Sequence, residues 1–69
     1  MTTVVHVRIL DGFQEGRIGV VVPKEELPEA IREKWEVAVA VEHYAIPGIQ
    51  VGVYGYNGDE LELMRAEQV

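Results

Sequence analysis

Residues 37–41 read Val-Ala-Val-Ala-Val, an unbroken alternation of large and small apolar side chains. Successive side chains of a β-strand point to opposite faces, whereas a helix would scatter the valines around its axis, so this run is a strand with a valine face and an alanine face. Around it, Glu36 to His43 reads as strand, with Val37, Val39 and Val41 turned inward and Ala38, Ala40 and Glu42 outward. The same period of two recurs in Val4 to Leu10, where Val5, Val7 and Ile9 share a side opposite His6 and Arg8. It recurs in Arg17 to Val22, with Ile18, Val20 and Val22 assigned to the buried face, and in Ile49 to Tyr56. In this fourth strand Ile49, Val51 and Val53 are placed inward and Gln50, Gly52, Tyr54 and Tyr56 outward. Leu61 and Leu63 anchor a short fifth strand, with Ala66 to Val69 expected to fray.

Between these runs stand turn signals. Gly12 and Gly16 bracket Asp11–Gly16 and supply the backbone freedom of a tight reversal. Tyr44 to Gly48 ends in Pro-Gly, and Asn57-Gly58 pairs two residues that tolerate positive φ. From Pro23 to Trp35 the period changes: Leu27, Ile31 and Trp35 recur every four residues, predicting a short helix with Pro28 in its first turn. Two turns do not stand alone in water, so that stripe, Trp35 included, has to pack on the sheet.

With 69 residues the chain suits one domain, residues 1–69, with one modest core. It has no Cys, which excludes disulfides, thiolate metal sites and cysteine nucleophiles. No segment has a signal-peptide pattern or approaches the roughly 20 apolar residues of a membrane span. A soluble, cytoplasmic protein without membrane contact is the expectation. The formal net charge of −6 opposes a phosphate backbone, and the few Arg and Lys residues are scattered along the chain.

Short strands separated by turns suggest a small barrel, because closing a sheet removes edges that would recruit other chains. The stretch Val7-Arg8-Ile9-Leu10-Asp11-Gly12-Phe13-Gln14-Glu15-Gly16-Arg17-Ile18-Gly19-Val20-Val21 resembles the KOW motif, with Gly12, Gly16 and Gly19 at its glycine spacing. An architectural likeness also runs to the SH3-like subunits of photosynthetic electron-transfer complexes: an opening like Val7-Arg8-Ile9-Leu10, a Val-rich middle strand, an ending like Asp59-Glu60-Leu61-Glu62-Leu63. The resemblance implies a mainly β fold, a five-stranded SH3-like barrel; the short helix that the period places between the second and third strands, from Pro23 to Trp35, is not part of the compact pattern of either family. The resemblance also implies contact with RNA or with ribosomal and transcription machinery. The residue before the second glycine of such a motif is commonly basic; here it is Glu15, with Asp11 close by, and a carboxylate there disfavours phosphate.

Catalysis needs a nucleophile and base, a carboxylate pair in a pocket or a metal cluster. The chain has no Ser, its Thr residues are Thr2 and Thr3, and His6 and His43 fall on separate strands without ligand spacing. Asp59, Glu60 and Glu62 read as a solvated acidic edge. The expectation is a non-enzymatic module with no metal and no cofactor. The predicted partner surface is the outward face of the third and fourth strands, with Ala38 and Ala40 as floor and Tyr54 and Tyr56 as walls, unless the helix folds over it. Phe13 is either a partner anchor or a cap on an open end of the barrel. The first reading is a protein-binding module docking on a larger protein or assembly, the acidic edge steering it toward a basic partner. The alternatives are a KOW-type RNA-binding domain, with Arg8, Arg17 and Phe13 as contacts, and an acidic inhibitor that mimics nucleic acid. Pairing with a second copy through an exposed strand edge remains open.

Overall fold

A computed structural model describes residues 2–43, 45–46 and 48–69. Five antiparallel strands form one sheet: β1 (Thr3–Ile9), β2 (Ile18–Val22), β3 (Val37–Glu42), β4 (Gln50–Tyr56) and β5 (Leu61–Gln68), in the order β4-β3-β2-β1-β5. The expected closed barrel does not form. β4 and β5 are the two edges of an open sheet.

Cross-strand partners lie on the same face, so the register assigns every side chain. Val21 pairs with Val39 and Gly19 with Val41. Tyr56 pairs with Val37, Tyr54 with Val39 and Gly52 with Val41. The inner face is therefore the valine face of β3, where Val7, Ile9, Val39, Val41 and Tyr56 form the core with Val5, Val21, Val37 and Leu61 against it. β1 and β3 bury the predicted residues. β2 and β4 are turned over relative to expectation: Val20 and Val22 pair with Ala40 and Ala38, and Val53 pairs with Ala40, all on the other face.

The reason is steric as well as hydrophobic. A Cβ on Gly19 would lie 2.5 Å from Val39 Cγ1 and 2.7 Å from the Ala40 carbonyl oxygen, so only glycine fits beneath the β3 valines there. Ile18 or Val20 in its place would force the strands apart.

The predicted helix is shorter than its period. It divides into a 3-10 turn at Lys24–Glu26 and α1 at Glu29–Arg32, with Leu27 extended and Pro28 capping rather than entering α1. Proline disfavours helical φ/ψ in the preceding residue, which breaks the segment at Leu27. Arg32 joins the pieces, its Nη2 donating to the carbonyls of Glu25 and Leu27, both at 3.1 Å. Leu27 is 1% exposed and the 3-10 turn packs against β3.

The loop between β1 and β2 reverses at Gly12 and Gly16, with φ of 92° and 86°. Asn57-Gly58 makes a different structure from the predicted hairpin turn. Gly58–Glu60 is a 3-10 turn without positive φ, and the Asn57 N–H donates to Glu60 Oε1 at 2.8 Å. In the β3–β4 connection Gly48 takes a φ of 86°, while Tyr44 and Pro47 lie outside the described residues. β5 does not fray at Ala66 to Val69; it pairs along the whole of β1 to Thr3–Gln68, and Thr2 and Val69 exchange backbone hydrogen bonds.

Candidate functional site

The register that builds the core also redistributes the predicted partner surface. Ala38 and Ala40 are fully buried, and Tyr54 and Tyr56 belong to the opposite face. The tyrosine-alanine groove is not formed. On the alanine side the strand is covered by the segment between β2 and β3, and the indole of Trp35 lies over Gly55, the partner of Ala38.

What does come together is an aromatic groove of about 270 Å³ along the end of β4, lined by Phe13, Gln14, Ile31, Trp35, Val53, Tyr54, Gly55 and Tyr56. Three chain segments supply it. The β1–β2 loop contributes Phe13, 93% exposed at its tip, and the covering segment contributes Ile31 and Trp35. β4 contributes Tyr54, partly exposed, and Tyr56, which is buried with the core. Phe13 thus stands in water beside the groove instead of capping an interior. Arg17, half-buried at the end of the same loop, is not among the lining residues.

Gln14 is the residue that sequence reasoning missed. It is 5% exposed, and among the described residues its Oε1 has no hydrogen-bond partner. A buried amide oxygen without a donor costs of order 1–3 kcal/mol. Only its place in a loop between two glycines signalled it, and nothing in the sequence distinguishes it from a solvated loop glutamine.

The charges near the groove are mixed: Asp11 and Glu15 flank the loop residues in sequence, while Trp35 stands between Lys34 and Glu36. The Tyr56 hydroxyl is pushed above its ordinary value by burial, then by Tyr54 and by Glu60. The predicted acidic edge is partly structural. Glu60 caps its own turn, Glu36 Oε1 accepts from the Gly58 N–H at 2.7 Å, and Glu62 pairs with Arg8 at 3.4 Å. His6 Nε2 lies 3.6 Å from Glu67, while His43 Nδ1 accepts from the Ala45 N–H at 3.1 Å. Among the described residues no three His, Asp or Glu side chains gather as a metal site, and no helix is long and apolar enough to cross a membrane.

The chain matches no protein-family model, no curated protein and no solved structure.

Proposed function

We propose that this protein is a non-enzymatic binding module that docks on a larger protein or assembly through the aromatic groove at the end of β4. The observation that carries this reading is the convergence of Phe13, Trp35, Tyr54 and Tyr56 beside the buried Gln14, whose Oε1 has no hydrogen-bond partner among the described residues. Aromatic side chains supply large stiff contact area at low entropic cost. An exposed Phe13 has no role in holding the fold together, and its burial by a partner would contribute about 1.5–3 kcal/mol.

Asp11 and Glu15 bracket Phe13 in a chain of net charge −6, so the favoured partner segment is basic and carries an apolar residue to enter the groove. The KOW resemblance supplies the second reading, contact with RNA through the same loop. Asp11 and Glu15 on either side of Phe13 weigh against it.

The test is capture from cell extract by the wild-type chain and by a Phe13→Ala, Tyr54→Ala double variant of unchanged fold. Basic proteins retained by the first and lost by the second support the groove. Equal retention removes it, and nuclease-sensitive capture transfers the assignment to RNA.

A further inference from the structure

The two edges of the sheet differ in kind. β5 carries Glu62, Arg65 and Glu67, charged residues of the sort that discourage an incoming strand. β4, with the sequence Gln-Val-Gly-Val-Tyr-Gly-Tyr, carries no charged residue and no proline. Among the described residues no strand pairs with its outer edge, and nothing in its own sequence guards that edge. A chain of net charge −6 repels its own copy over most of its surface, so a neutral edge is where two copies can meet.

We infer that two copies of the chain pair antiparallel through β4, on a two-fold axis at Tyr54. This rests on reading the groove as a protein-binding site and names its resting occupant. The pairing of β4 with β3 is regular from Gly52 to Tyr56 and irregular only beyond Gly52, which leaves those five residues as a straight template. With Tyr54 on the axis, Tyr54 faces its counterpart, Val53 faces the copy's Gly55 and Gly52 faces the copy's Tyr56. Each off-axis position thus sets a glycine against a large side chain.

The register also fills the groove. Trp35 lies over Gly55, and the copy's Val53 arrives opposite Gly55, against the indole. A two-fold contact uses the same patch on both molecules and closes on itself, so assembly stops at the dimer. The free edges that remain are the charged β5 strands. Because the copy and a basic partner segment need the same edge, each displaces the other.

The test begins with sedimentation equilibrium of the full chain from micromolar to near-millimolar concentration. A monomer–dimer equilibrium is expected, and Tyr54→Lys weakens it by about tenfold or more by placing two like charges face to face. The chain has no cysteine, so single introduced thiols report the register. Tyr54→Cys cross-links into a dimer on mild oxidation, and Met64→Cys on β5 does not. A wild-type monomer throughout, or equal cross-linking of the two cysteine variants, overturns the inference. A monomer that still binds a basic protein through Phe13 refutes self-pairing and leaves the groove reading intact. A dimer lost in Tyr54→Lys, with partner capture unchanged in the Phe13→Ala, Tyr54→Ala variant, does the reverse.

Discussion

The indole of Trp35 occupies the space that a side chain on Gly55 would need, since a Cβ built there falls onto ring atoms Cγ and Cδ1. The pair fastens the segment between β2 and β3 to the edge strand and forms one wall of the groove. Gly55→Ala is expected to destabilise the fold by about 1–3 kcal/mol through overpacking. In a double-mutant cycle measured by urea denaturation, Trp35→Leu should recover part of that loss. Purely additive effects would mean that the two residues do not share the space.

Gly19→Ala should cost at least as much as Gly55→Ala, because the new methyl group would meet the Ala40 carbonyl oxygen, which is backbone and cannot rotate away. Gly12 offers the contrast. Nothing lies within 4 Å of a Cβ at Gly12, yet its φ of 92° penalises any L side chain by roughly 1–2 kcal/mol. The three variants, ranked by denaturant midpoint, separate crowding from backbone strain. A Gly19→Ala protein as stable as wild type would contradict the register of β2.

Leu27 and Leu63 test where the apolar area matters. Leu27 is 1% exposed beneath the broken helix, and Leu27→Ala is expected to cost about 2–5 kcal/mol. Leu63, 67% exposed on the edge strand, should change stability by no more than about 0.5 kcal/mol when cut to Ala. Thermal melts of both variants decide it, and equal losses would show that β5 is covered in solution.

Tyr56 predicts an alkaline limb. Its folded-state pKa is raised above 10.0, first by burial and then by Tyr54 and Glu60, so the folded protein favours the neutral phenol. The stabilising contribution is complete below 10.0 and declines as pH climbs from there through the higher folded-state value. Urea midpoints should fall across that window in the wild type and stay flatter in Tyr56→Phe. An identical slope in both would assign the limb to other groups.

How much of this could be read in advance turns on particular strands. β1 was legible because His6 and Arg8 mark the side that faces away from Val5, Val7 and Ile9. β3 was legible because its large and small residues alternate. β2 reads Ile-Gly-Val-Val-Val and β4 mixes valine, glycine and tyrosine, so neither has a polar face to declare. Their orientation is set by pairing to β3, where a slip of one residue exchanges the faces. The glycines at 19 and 52, which sequence patterning places outside, sit inside opposite Val41, and at Gly19 a Cβ would collide with Val39 and the Ala40 carbonyl. Phe13, Tyr54 and Tyr56 were singled out in the sequence as candidate contact residues, but their grouping with Trp35 and Gln14 was not legible there. It depends on which way β4 faces and on where Pro28 breaks the helix.

β1 lies between a strand that follows it closely in the chain and one from the far end, with Val7 paired to Gly19 on one side and to Leu63 on the other. During synthesis, therefore, one flank of β1 stays bare until the eight residues of β5 have left the ribosome. The meander from β1 to β4 has to persist through that interval without its long-range partner, when contacts of high sequence separation are the slowest to form. Anything that delays the arrival of β5 lengthens the exposure of Val5, Val7 and Ile9, so misassembly should be governed by how soon residues 61–68 follow β4.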